Sequence, residues 1–259
     1  MATAFYRPTF EKQGTGSALG WKNCGAASGA MLTDRSTLDL KDPSPDAFRT
    51  ATGDFEGGLM IAQVGTALTK YGVPHTVYDA SDGYTFDRLV ADLKRGKGAV
   101  VNGDYDVVPK ALAGSDTFDG FHSEYWQQVV STGIVVGDPL NDGRRLASGR
   151  VVPKGYVVYP LAVARAYVER FDRQVPGTGI HAAVMDLRRV RARGDYAVNV
   201  RAAASTSSAI LGRIRGTTTL AWGGTVLGQS VAGNRTWYRV WHPATNRLAY
   251  VHASVVRTV

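Results

Sequence analysis

The spacing of apolar residues changes along this chain of 259 residues, and that change most constrains its fold. Residues 58–71 and 85–94 repeat apolar side chains at helical spacing. From Gly98 to about residue 160 the apolar runs are shorter and separated by turns, which is typical of antiparallel strands. Helices followed by antiparallel strands predict an α+β domain over residues 1–172.

A second change follows the segment Pro176-Gly177-Thr178-Gly179, and it predicts a linker over residues 173–185. Beyond it, helical spacing disappears. Short apolar runs separated by Gly, Asn and Pro predict a small all-β barrel over residues 186–259. The predicted strands of this barrel are residues 197–201, 209–214, 218–222, 237–241 and 249–251.

Charge divides the chain at the same place. Residues 1–172 carry 18 basic and 20 acidic residues, whereas residues 173–259 carry 12 and 2, and all 12 basic residues are arginine. This asymmetry indicates two modules with different partners. The basic module favours a polyanion such as a cell-wall polymer, with an unspecific basic surface as the alternative.

Composition excludes several classes of protein. With Cys24 as the single cysteine the chain has no internal disulfide, and no zinc-binding spacing occurs, so neither a metal nor a cofactor is expected. No apolar run reaches the roughly 20 residues that span a bilayer. The N-terminus lacks the pattern of a signal peptide, which predicts a protein made and retained in the cytoplasm.

Cys24 is the candidate nucleophile. It precedes a run of small residues that suits the first turn of a helix packed closely on a sheet. A helix N-terminus favours the thiolate, which is the reactive form of cysteine.

A thiol nucleophile needs a base and a group that orients the base. His122 opens a predicted strand after a glycine turn and is preferred over His75, which lies at the edge of another strand. Asp138 follows His122 by one predicted hairpin, which can return the chain beside its origin.

Asp138 begins a segment, residues 138–143, that is otherwise predicted to be a turn. Asp119 and Glu124 are the rival carboxylates near His122, and both are expected to be solvated.

Three motifs carry a resemblance over most of residues 5–160: Cys24-Gly25-Ala26-Ala27, Gly120-Phe121-His122 and Val135-Val136-Gly137-Asp138-Pro139. In this order they resemble the papain-like cysteine peptidases of the bacteriocin-processing type. The resemblance implies a papain-like α+β fold and a Cys24–His122–Asp138 triad. It also implies an oxyanion hole made by the Cys24 backbone N–H and a glutamine side chain.

The expected glutamine position, about six residues before the cysteine, holds Ala18 in this chain. Gln13 and Asn23 are therefore the candidate oxyanion donors.

The second module resembles the bacterial SH3 domain, through Ala197-Val198-Asn199-Val200-Arg201, Trp237-Tyr238-Arg239-Val240 and Tyr250-Val251-His252. That resemblance implies a small barrel that binds the cell wall. Candidate wall-binding residues are Trp237, Tyr238, Arg239 and Tyr250, because aromatic and arginine side chains suit glycans, peptides and anionic groups. Adjacent residues of a strand face opposite sides, so one of Trp237 and Tyr238 is expected in the core.

Together the two resemblances imply an endolysin-like peptidoglycan hydrolase that remains in the host cytoplasm until lysis. It would be a monomer that cleaves a stem or crossbridge peptide bond with a thiol, without cofactor or membrane. Nucleic acid is the less favoured polyanion. The alternatives are an N-acetylmuramoyl-L-alanine amidase on the same fold, and a non-catalytic wall-binding protein with a degenerate peptidase domain.

Overall fold

The computed structural model describes residues 5–18, 20–53, 56–174 and 179–259. Helices and antiparallel sheets both occur in it. The helices are α1 (Cys24–Thr37), α2 (Pro45–Thr52), α3 (Ile61–Lys70), α4 (Phe86–Lys94) and α5 (Leu161–Gln174).

The first sheet lies in the helical part of the chain. Its strands are β1 (His75–Tyr78), β2 (Ala99–Asp104), β3 (Phe121–Val130), β4 (Gly133–Asp142), β5 (Lys154–Tyr159) and β6 (Ala182–Met185). They pair antiparallel in the order β1-β6-β2-β3-β4-β5, so β3 lies inside the sheet with β2 and β4 as neighbours. Trp126 of β3 and Tyr167 of α5 are fully buried members of the core that α4 and α5 form with this sheet.

Helix α2 was not predicted from the sequence. Ser44 caps its N-terminus by accepting a hydrogen bond from the Ala47 N–H (3.3 Å), and Pro45 occupies the first turn. Gly53 ends the helix in the left-handed region, at φ 79°.

Two expectations of the first module are wrong. Residues 138–142 continue β4 rather than forming a turn, because Asp138 and Asn141 are buried and take partners within the protein. The segment 173–185 is not a linker throughout, because β6 pairs with both β1 and β2 and is buried along its length. Its residues 175–178 lie outside the described residues.

The second sheet comprises the C-terminal strands. They are β7 (Arg189–Ala192), β8 (Val198–Arg201), β9 (Ile210–Ile214), β10 (Thr219–Val231), β11 (Asn234–His242), β12 (Arg247–His252) and β13 (Val256–Thr258). The order is β13-β7-β10-β11-β12-β8-β9, again antiparallel, around a core that includes Val200, Val240 and Val251. This is one antiparallel sheet, in which β10 is the longest strand with 13 residues.

The chain forms two compact units, and the second is not continuous in sequence. It comprises Leu187–Val259 together with Asp34–Lys41 and the N-terminal segment that ends at Pro8. Within this unit Arg239 donates to Asp39 at 2.8 Å, and the backbone of Thr37 lies where a Cβ on Gly223 would be. The unit boundaries therefore differ from a single division near residue 180.

Among the helices described, none is long and apolar enough to span a lipid bilayer.

Candidate active site

Cys24 is the first residue of α1 and is partly exposed to solvent. The helix packs closely on its neighbours at this end, since a Cβ on Gly25 would lie 3.0 Å from the Leu59 Cβ and 3.6 Å from the Ser123 Oγ. The N-terminal N–H groups of α1 favour negative charge on the sulfur. The small residues that follow Cys24 are what allow this approach.

His122 lies near the start of β3 and is held on several sides. The ring centroids of Tyr105 and Phe118 lie 4.8 and 5.5 Å from its imidazole, both in edge-on contact. The Tyr167 hydroxyl of α5 donates to the His122 carbonyl at 2.6 Å. This approach depends on Gly103, which pairs with His122, because a Cβ there would lie 2.0 Å from the Tyr167 ring.

Asp138 lies on β4 and is completely buried. Its Oδ1 accepts hydrogen bonds from His122 Nε2 (2.8 Å) and from the Leu140 N–H (2.9 Å), and its Oδ2 accepts from the Tyr105 hydroxyl. Because these donors suit a carboxylate, the proton of neutral His122 belongs on Nε2 and its Nδ1 is the basic nitrogen.

The electrostatics of the site favour a thiolate paired with an imidazolium. Burial raises the pKa of Cys24, but its interactions with His122 and Ser123 lower it below its ordinary value overall. Burial lowers the pKa of His122, but the charge and hydrogen bond of Asp138, together with the interaction with Cys24, raise it overall. The structure thus brings together the three residues that the sequence singled out.

Glu124 was expected to be solvated, and that expectation is wrong. It is fully buried on β3, where its Oε1 accepts from the Tyr159 hydroxyl (2.7 Å) and its Oε2 from the Trp126 indole N–H (3.1 Å). Burial and the charge of Asp138 raise the pKa of Glu124 to about 8. Alternation along the strand is the signal that would have found it, since His122, Glu124 and Trp126 share one face. Asp119, the other rival, is exposed.

His75 does not join the site. It lies on β1, which β6 and β2 separate from β3 in the sheet. Its Nδ1 lies 2.8 Å from the Val73 carbonyl. This geometry leaves His122 as the histidine beside the thiol.

The two candidate oxyanion donors have different surroundings. Asn23 is buried with both polar side-chain atoms facing α2, since its Nδ2 donates to Asp46 at 2.7 Å and its Oδ1 accepts from Arg49. Gln13 contacts the segments that carry Asp138 and Cys24. Its backbone N–H donates to the Pro139 carbonyl (3.1 Å) and its Nε2 to the Trp21 carbonyl (2.8 Å). The Gln13 amide is therefore held at Nε2 alone, whereas that of Asn23 is held at both polar atoms.

A cavity of about 290 Å³ lies on the far side of two rings that contact His122, and His122 itself does not line it. Tyr105 and Phe118, whose rings contact the imidazole, line this cavity, together with Asp106 and Lys110.

His122, Glu124 and Asp138 bring one potential ligand atom each within 4.8 Å of one another. All four carboxylate oxygens of this group already accept hydrogen bonds from protein donors. A cation would have to displace those donors, so the arrangement fits a hydrogen-bonded catalytic group better than a metal centre.

The candidate wall-binding residues are mostly engaged in the second unit. Trp237 is 1% exposed and donates to the Gln229 carbonyl, but it also lines a cavity of about 220 Å³, so its role in ligand binding stays a prediction. Tyr238, on the other side of β11, is partly exposed and packs edge-on against Trp222. Arg239 pairs with Asp39, and Tyr250 is partly exposed on β12.

The chain matches no family model and no curated protein. Among solved structures it is similar to a double-glycine-motif protease from an AMS/PCAT transporter, in complex with the leader peptide. That match has 20% identity and a TM-score of 0.40, and covers 69% of this chain and 93% of that one. It is also similar to a protein described as a C39-like peptidase from Bacillus anthracis, with 10% identity, a TM-score of 0.42 and coverage of 71% and 94%.

A third solved structure, that of Ly7917, covers more of the chain. The match spans 93% of this chain and 84% of that one, with 13% identity and a TM-score of 0.28. All three similarities are too remote to assign a family or an activity.

Proposed function

We propose that this protein is a thiol-dependent hydrolase of bacterial cell-wall peptides, with Cys24 as nucleophile, His122 as general base and acid, and Asp138 as the group that orients His122. One observation carries this proposal: a partly exposed thiol at a helix N-terminus interacts with an imidazole whose other nitrogen is hydrogen-bonded to a buried carboxylate.

The proposed reaction follows from the orientation of His122. Nε2–H donates to Asp138, so Nδ1 accepts the thiol proton. The Cys24 thiolate adds to the scissile carbonyl carbon, and His122 returns the proton to the leaving amine as the C–N bond breaks. The resulting thioester is then hydrolysed by a water that His122 deprotonates, which releases the acid and the free thiol.

An oxyanion hole would stabilise the tetrahedral intermediates. We propose the Cys24 backbone N–H and the Gln13 amide as its donors. The Gln13 Nε2 has two hydrogens, of which the Trp21 carbonyl takes one. Asn23 also keeps one amide hydrogen, but it is the weaker candidate because Asp46 and Arg49 hold both its polar side-chain atoms towards α2, whereas Gln13 is held at Nε2 alone.

The wall substrate is supported by the second unit. We propose that it is an SH3-like barrel that binds the wall, through the charge of a module with 12 arginines and 2 acidic residues after residue 172. Tyr238 and Tyr250 are its partly exposed aromatic candidates. An endolysin-like role joins the two proposals, since a basic module would concentrate the hydrolase on an anionic wall.

A digest of purified peptidoglycan tests the function. The intact protein should release muropeptides with new peptide termini, and Cys24→Ala should release none. A new amino terminus on L-Ala would indicate an amidase instead. Equal inactivity of the intact protein and Cys24→Ala, with wall binding retained in both, would favour a non-catalytic binding protein.

A further inference from the structure

The Cys24–His122–Asp138 group contains a second buried carboxyl that the proposed reaction does not use. Glu124 is fully buried, and its carboxyl lies within 4.8 Å of ligand atoms of both His122 and Asp138. Burial of an ionisable group without an ion-pair partner is costly, so such a group is retained only where something compensates for it.

Strand register explains how two carboxyl groups come so close. Tyr125 of β3 pairs with Gly137 of β4, and continuing this register places Glu124 opposite Asp138. Like charges directly opposite on a sheet destabilise it, and two carboxylates that share a site cannot both ionise readily. Asp138 is the carboxyl that ionises more readily, because His122, Leu140 and Tyr105 all donate hydrogen bonds to it.

The partners of Glu124 suit a carboxyl that changes its protonation. The Trp126 indole can only donate, so it fixes Oε2 as an acceptor, whereas the Tyr159 hydroxyl can donate to Oε1 or accept from it. The carboxyl can therefore carry or lose a proton without moving.

The ionisable groups around Glu124 come from several elements. His122 lies on its own strand and Asp138 on β4, while Tyr159 ends β5. The charge of Glu124 acts on Tyr105, beside β2, and on Tyr167 of α5. Cys24 of α1 interacts with His122, which in turn interacts with Glu124. His122 is the group in this set that can carry a positive charge.

We propose that Glu124 is a positioning residue of this site: its buried carboxyl acts through His122 and governs the pH at which the imidazolium is lost. While Glu124 is neutral, the imidazolium is stabilised by Asp138 and by the Cys24 thiolate. Once Glu124 ionises, a further negative charge faces His122 and keeps it protonated to higher pH. This inference deepens the proposed function and rests on it, because it assumes that the Cys24 thiolate pairs with His122.

The test measures the alkylation rate of Cys24 by iodoacetamide between pH 4 and 11, which needs no substrate. A thiolate–imidazolium pair should give a lower step where the thiolate forms and an upper step where the imidazolium loses its proton. In Glu124→Gln the upper step should move to lower pH by about one unit or more, the size expected for a charge within 4–6 Å. The lower plateau should stay within about threefold, a difference of about 0.6 kcal/mol.

Two further variants keep the test decisive. Tyr159→Phe removes the hydroxyl that favours ionised Glu124, so its upper step should also move to lower pH. This variant replaces Glu124→Gln in the test if Glu124→Gln does not fold. Asp119→Asn removes an exposed carboxylate from the loop before β3 and should leave both steps in place.

Each result has one meaning. An upper step that stays in place in both Glu124→Gln and Tyr159→Phe would overturn the role of Glu124 while leaving the thiolate–imidazolium pair intact. A single step near the pKa of an ordinary cysteine in the unmodified protein would overturn this inference and the proposed function together.

Discussion

The orientation of His122 depends on one carboxylate, so we expect Asp138→Asn to affect rate more than binding. An asparagine amide can donate to Nε2, which would move the proton to Nδ1 and remove the base from the thiol. The kcat for cleavage should fall by about 10²–10⁴-fold with little change in KM. Asp119→Asn is the matched control, and an unchanged kcat in Asp138→Asn would contradict the assigned roles.

Gln13 and Asn23 should give different results when each is replaced by alanine. Loss of one oxyanion donor costs about 10²–10³ in kcat, so Gln13→Ala should lower the rate of wall-peptide cleavage by that amount. Asn23→Ala should instead lower stability, because Asp46 loses the Asn23 Nδ2 donor and the Arg49 Nε loses its Asn23 Oδ1 acceptor. Steady-state kinetics and urea denaturation of both variants separate these effects. A lower kcat in Asn23→Ala together with a lower stability in Gln13→Ala would make Asn23 the oxyanion donor instead.

The sequence identified most of the residues in the site but not their surroundings. Local patterns of a helix start and of a hairpin are recognisable in a sequence, and they allow Cys24, His122 and Asp138 to be predicted as site residues. The burial of Glu124 was missed because a glutamate near a glycine turn normally faces solvent. Its burial comes from β2 and β4 on either side of β3 and from Tyr159, which are contacts between residues distant in sequence.

At the scale of elements, Gly103 controls how closely α5 lies on β2. A Cβ at this position would lie 2.0 Å from the Tyr167 ring, so Gly103→Ala should force the helix outward. We expect a loss of about 1–3 kcal/mol in the free energy of unfolding, as is typical of overpacking. Gly14→Ala is the control, because nothing lies within 4 Å of its Cβ position and its φ is not in the left-handed region. Equal denaturation midpoints for the two variants would contradict this account.

The elements show where local patterns suffice for prediction. Helices α3 and α4 follow their predicted segments to within a few residues, since their apolar spacing is regular, and β3 begins one residue before His122, where a strand was predicted to open. Strand β6 was read as part of a linker because Pro176 and Gly177 precede it. Its place between β1 and β2 is set by pairing across the sheet, which no local pattern reports.

At the scale of the whole molecule, the uneven charge predicts binding that depends on salt. The full-length Cys24→Ala variant should bind purified walls at low salt and release them as NaCl rises towards 1 M, where the screening length falls from about 10 Å at 0.1 M to about 3 Å. Cosedimentation with intact walls, and with walls stripped of anionic polymers, measures this. Binding that is indifferent to salt and to stripping would contradict a charge-driven attachment.

The discontinuous second unit limits how this protein can be divided. A fragment beginning at Leu187 would lack Asp34–Lys41, leaving Arg239 without Asp39 and uncovering the backbone beside Gly223. Grafting such a fragment onto another enzyme should therefore yield a poorly folding tail. Exchange of targeting modules by simple recombination at a C-terminal junction, a common route to new specificities among modular proteins, would be costly for this chain.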